Sequence, residues 1–136
     1  MSATFQKGER LSSFKEIQAL MKGGKSFFHY PFKVVYQNVA NDGNPNAVIV
    51  SVPKRNFKRA VKRNLLKRRI RESYRLNKGL LVAPDGFRTN ILFVYISKEI
   101  REFSFIEGKL KEILALVSQG KTKAPKDNVQ QEKDNS

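Results

Sequence analysis

Eleven of the chain's 27 lysines and arginines crowd into 22 positions: Lys54, Arg55, Lys58, Arg59, Lys62, Arg63, Lys67, Arg68, Arg69, Arg71 and Arg75. Glu72 is the only acid among them. A solvated helix face ordinarily mixes Glu with Lys, so a run of nearly one sign calls for a polyanionic partner. At 100° per residue Arg63, Lys67, Arg71 and Arg75 form one i, i+4 row, with Asn64 and Arg68 beside it. Like charges at that spacing destabilise an isolated helix, and phosphates placed against them relieve the repulsion. Neutralising about six phosphates would give a log–log salt slope near −5 on duplex-like nucleic acid.

Groups that could break bonds are scarce. The single histidine, His29, has no spaced His, Cys or carboxylate companions, and a lone histidine is far more often structural than catalytic. No G-x-S-x-G, H-E-x-x-H, P-loop or paired-carboxylate arrangement occurs. The absence of cysteine excludes disulfides, Cys-type zinc sites, iron–sulfur clusters and thiol nucleophiles. The chain is therefore expected to hold no catalytic residue and no metal ligand of its own.

The basic row must be held outward by something apolar. Leu66, Ile70 and Tyr74 form a second helical row able to anchor it, and the stretch free of Pro and Gly predicts a helix from about Lys58 to Asn77. Upstream, Ser13-Phe14-Lys15-Glu16 has the form of a capping box, and Phe14, Ile17, Leu20 and Met21 predict a short helix to about Lys22, stopped by Gly23-Gly24 in left-handed conformations. The run from Phe27 to Val39, interrupted by Pro31, reads as one or two strands at an edge or bulge. Asn41 to Pro45 reads as a turn, and Ala47–Val52 as a buried strand expected to pair with the preceding run as a hairpin.

Asn90–Ile96 predicts a further strand, reached by a crossover through the basic helix. A last helix, capped by Ser104 with Glu107, buries Ile106, Leu110, Ile113, Leu114 and Val117. With 136 residues, 40% of them hydrophobic and a net charge of +15, the composition suits one domain over residues 1–118 and a polar, disordered tail over 119–136. The opening Met-Ser-Ala-Thr lacks an apolar run and no long apolar stretch follows. A soluble cytoplasmic chain without a membrane contact is therefore expected.

These features fit a structural RNA-binding protein, ribosomal or otherwise. They fit a major-groove DNA reader less well, since a buried strand and not a short helix precedes the basic helix. Read together, Ser51-Val52-Pro53-Lys54-Arg55 and the run Ala60-Val61-Lys62-Arg63-Asn64-Leu65-Leu66-Lys67-Arg68-Arg69-Ile70-Arg71-Glu72-Ser73-Tyr74-Arg75 closely resemble the signature of the bacterial ribonuclease P protein family. Arg10-Leu11 before the first helix resembles that family's opening. Leu65 stands where the family usually has Arg, and Arg69 where it usually has an apolar residue. The departures predict a slightly rotated helix, or an Arg69 stem that runs past the core.

The resemblance implies an α/β (α+β) two-layer sandwich: a four-stranded mixed sheet with packed helices, in the order α-β-β-β-α-β-α, and a left-handed βαβ crossover. It implies the non-catalytic protein subunit of an endoribonuclease that removes the 5′ leader of precursor tRNA. Mg²⁺ would be bound mainly by the catalytic RNA, which carries the active site. The implied partners are that RNA and precursor tRNA, with no obligate protein partner. By matching position, Lys54, Arg55, Arg59, Lys62, Arg63, Asn64, Lys67, Arg68, Arg71 and Arg75 are the RNA-binding candidates. Ile17, Met21, Phe27, Phe28 and Lys33 fall in segments resembling a leader cleft, where aromatics and positive charge hold single strands by stacking and attraction.

Overall fold

The structure, a computed structural model, describes residues 14–120. The Ser13 cap, Arg10-Leu11 and the tail beyond Gly120 lie outside the described residues.

Strand β4 (Phe87–Tyr95) is the centre of the sheet. It is rich in aromatic and β-branched residues and buried along most of its length, as a strand covered on both faces must be. It pairs antiparallel with β2 (Phe32–Ala40) and parallel with β3 (Ala47–Ser51), and β1 (Lys25–His29) lines the outer edge of β2. The order is β1-β2-β4-β3. The turn between β1 and β2 passes through Tyr30–Pro31, whose peptide bond is cis.

The expected β2–β3 hairpin is not formed, because β4 lies between the two strands. The polar residues that read as a tight turn are spent on β4 and its approach instead. Asn41 N–H donates to Gly86 O at 2.9 Å, Thr89 N–H donates to Asn46 Oδ1 at 2.8 Å, and the Asn46 amide donates to Leu81 O at 3.2 Å. β3 is consequently an edge strand.

Helices α2 (Ala60–Asn77) and α3 (Phe103–Gln119) cover one face of the sheet, and a 3₁₀ turn, Lys78–Leu80, follows α2. Their buried rows, Leu66, Ile70 and Tyr74 with Ile106, Leu110, Ile113, Leu114 and Val117, close over Phe32, Val34, Tyr36, Val48, Ile91, Phe93 and Tyr95. Each such side chain contributes about 1.5–3 kcal/mol on burial. Helix α1 (Phe14–Gly23) lies on the opposite face, where Leu20 packs on Val35, Ala47 and Leu92.

Three helix ends differ from expectation. α1 takes in Gly23, and neither Gly23 nor Gly24 has positive φ. Gly24 is required for close approach: a Cβ there would lie 2.5 Å from the Leu20 carbonyl and 2.9 Å from Val35 Cγ1. α3 begins one residue ahead of Ser104, with Glu102 at the N-cap and no side-chain cap bond. It runs through Gln119 and ends on Gly120 in the left-handed region (φ 68), so its last residue is the first of the expected tail.

Candidate nucleic-acid interface

With Leu66, Ile70 and Tyr74 buried to within 1% of completely, α2 has one rotational setting, and its basic side is turned from the core. Lys54, Arg55, Arg59, Lys62, Asn64 and Arg68 are exposed, and Arg63, Lys67, Arg71 and Arg75 are half-buried. Among the described residues Lys54, Arg55, Arg59, Lys62, Lys67 and Arg68 form no ion pair with an acid.

The expected row is not uniformly available. Arg63 Nη1 donates to the carbonyls of Phe57, at 2.7 Å, and Lys58, at 2.9 Å, so its guanidinium ties down the loop leading into the helix. That loop keeps Lys58 and Arg59 out of the helix, which starts at Ala60. Arg75 is paired with Glu72 through Nε at 3.0 Å and again through Nη2. This contact lowers the Glu72 carboxyl and raises the Arg75 guanidinium from their ordinary values. The unpaired charge therefore sits on the flank formed by the 54–59 loop, Lys62, Lys67 and Arg68.

The cleft candidates divide between the two faces of the sheet. Cross-strand register puts Ser51, Val94, Lys33 and Phe28 in one line across all four strands, and Ile49, Leu92 and Val35 in the next. α1 sits over the second line through Leu20 and the half-buried Ile17. Phe28 is 63% exposed at the end of the first, with Lys33 Nζ 5.8 Å from its ring centre. Met21, 58% exposed, projects from α1.

Phe27 belongs elsewhere. Alternation along β1 sends it to the α2–α3 side, where it is 7% exposed and meets Tyr36 edge-on with ring centres 6.1 Å apart. It is core and not cleft. Phe14, 72% exposed, stands in one i, i+3, i+7 row with Ile17 and Met21 and is not among the expected site residues, although its helical spacing marks it.

One buried cation holds α1 to the sheet. Arg88, 5% exposed on β4, donates from Nε to Asp42 Oδ1 at 2.8 Å, from Nη1 to Asn90 Oδ1 at 2.7 Å, and from Nη2 to Glu16 Oε2 and Asp42 Oδ2 at 3.1 Å each. These bonds hold the Asp42 carboxyl well below the usual carboxylate range. Glu16 links that network to α1, so helix, β2–β3 loop and β4 meet at a single guanidinium.

His29 Nε2 lies 2.7 Å from Glu112 Oε1, a contact that lowers the Glu112 carboxyl and joins β1 to α3. Among the described residues no three His, Cys, Asp or Glu side chains cluster to hold a metal ion, and no helix is long and apolar enough to cross a membrane.

The family model described as Ribonuclease P matches residues 5–121. The chain belongs to the ribonuclease P protein family. It is 38% identical over 122 residues to the ribonuclease P protein component of Porphyromonas gingivalis, covering 85% of this chain and 89% of that one. It is 33% identical over 107 residues to the component from Thermotoga maritima, covering 79% and 86%. The solved ribonuclease P protein of Thermotoga maritima superposes with a TM-score of 0.63 at 29% identity, over 79% of this chain and 96% of that one. The protein from Staphylococcus aureus shares the fold, with a TM-score of 0.64 at 22% identity, over 80% and 94%.

Both departures from the ribonuclease P signature have a place in the structure. Arg69 lays its stem past the core and donates from Nη1 to Arg101 O at 2.6 Å, tying α2 to the loop before α3. Leu65 is half-buried on α2 and supplies no charge.

Proposed function

We propose that this chain is the protein subunit of ribonuclease P, docking on a catalytic RNA through the basic flank of α2 and holding the 5′ leader of precursor tRNA in the cleft beside α1. The observation that carries the reading is the set of unpaired cations on and just before α2, kept outward by Leu66, Ile70 and Tyr74. Carried on a backbone held in one setting, they meet phosphates and release counterions on contact. The cleft adds what a single strand needs: an exposed ring at Phe28, a cation at Lys33, and apolar side chains at Met21 and Ile17.

On this reading the chain binds and positions, and the hydrolysis belongs to the RNA, where Mg²⁺ would supply an activated water. Asp42 and Glu16, the two carboxylates that come together at Arg88, are both held by its guanidinium. The protein's contribution is to offset repulsion between the phosphates of two RNAs and to tether the leader. The test compares, in the reconstituted holoenzyme, affinity for precursor tRNA and for leaderless tRNA. The precursor is expected to bind more tightly only when the protein is present, and equal affinities would overturn the leader assignment.

A further inference from the structure

A loop carrying one further unpaired lysine, Lys98, faces the start of α2. Lys58, Arg59 and Lys62 on one side and Lys98, Glu99 and Ile100 on the other border an open groove of about 630 Å³. None of its four cations has an acidic partner among the described residues, and Glu99 is its single acid.

Both walls are fixed from within. Arg63 grips the Phe57 and Lys58 carbonyls, and Asn56 N–H donates to Pro53 O at 3.2 Å. Across the groove, the buried Tyr95 hydroxyl donates to Glu99 O at 2.7 Å and accepts from Arg101 N–H at 3.1 Å, while Glu99 N–H donates to Ser97 Oγ at 3.0 Å. Lys98 is thus carried on a loop with five neighbouring polar groups already committed. A groove with loops held from within, a local excess of three positive charges and no partner for them is suited to a phosphodiester backbone, because little loop entropy is lost on binding.

We infer that this groove, and Lys98 in particular, grips a backbone segment of the catalytic RNA, so that the RNA contact wraps round the start of α2 onto the loop between β4 and α3. The inference rests on the proposed function and extends it to one cation, Lys98, that neither the signature nor the basic run includes. Lys98 lies 23 residues beyond Arg75, the end of the basic run, and comes to it only through the fold.

The chain has no cysteine, so Lys98→Cys and Lys62→Cys each give one attachment point for an iron chelate that releases hydroxyl radicals. In the reconstituted holoenzyme the two probes are expected to cut the same short stretch of the catalytic RNA, and a probe at Gln18→Cys to cut elsewhere. No cutting from position 98, or cutting confined to precursor tRNA, overturns the inference. In parallel, Lys98→Gln is expected to weaken assembly several-fold and to reduce the log–log salt slope by about 1. Lys67→Gln separates the two readings. If it weakens assembly while Lys98→Gln does not, the groove fails and the α2 interface stands; if neither does, both fail.

Discussion

Arg63 Nη1 lies 2.7 Å from the carbonyl oxygen of Phe57, so the first arginine of the basic row turns back on its own chain before any RNA is met. Its task is then partly architectural: it sets where Lys54, Arg55, Lys58 and Arg59 stand. Arg63→Ala is expected to leave the fold intact, since Leu66, Ile70 and Tyr74 still anchor α2, with a stability loss of about 1–3 kcal/mol for the two bonds, one half-buried and one exposed. Amide exchange in residues 54–59 should quicken and affinity for the catalytic RNA should fall. Thermal melts with hydrogen exchange check this; global unfolding would place Arg63 among the core residues.

Arg75 and Lys67 make a contrasting pair. Arg75 is already neutralised by Glu72, whereas Lys67 has no such partner. Lys67→Ala should lower the log–log salt slope of RNA binding by about 1, and Arg75→Ala by distinctly less. Equal effects in a salt titration would contradict the assignment of the free flank.

Neighbouring phenylalanines on β1 separate packing from binding. Phe27→Ala removes a core ring and should cost about 3–5 kcal/mol of stability in denaturant unfolding. Phe28→Ala should leave stability almost unchanged and, on the proposed function, weaken leader-bearing precursor by about 1–3 kcal/mol while sparing leaderless tRNA. The reverse pattern would mean that β1 is in the opposite register.

Acid should weaken the hold of Arg88 on the β2–β3 loop. The folded Asp42 carboxyl is depressed by Arg88, so its contribution to stability is complete above the ordinary carboxylate value of 3.8 and is lost as pH falls through the folded value below it. The wild-type chain should lose stability steadily on acidification from about pH 4, and Asp42→Asn should be both less stable at neutral pH and flatter over that acid range. Urea unfolding at a series of pH values measures it; parallel curves for the two proteins would remove Asp42 from the account.

How much of this was legible in the residues depends on how far each contact reaches along the chain. The anchoring rows of α2 and α3 follow from 3.6-residue spacing alone, and both are buried as that spacing requires. The pairing of β2 does not: its partner β4 begins 47 residues after Ala40, and the intervening turn formers point to a hairpin that β4 displaces. Phe27 and Phe28 look alike in sequence because both faces of the sheet carry apolar side chains, so only register tells which is core. Spacing placed the cations on one side of α2 but says nothing of where a long guanidinium ends, and Arg63, Arg69 and Arg75 all end on this chain's own atoms.

The most direct test is single-turnover cleavage of precursor tRNA by a bacterial ribonuclease P RNA at low Mg²⁺, with and without this chain. The account predicts no cutting by the chain alone, weak cutting by the RNA alone, and strong stimulation when the two are combined. Cutting by the chain alone, or no stimulation by a folded chain that binds the RNA, would contradict it.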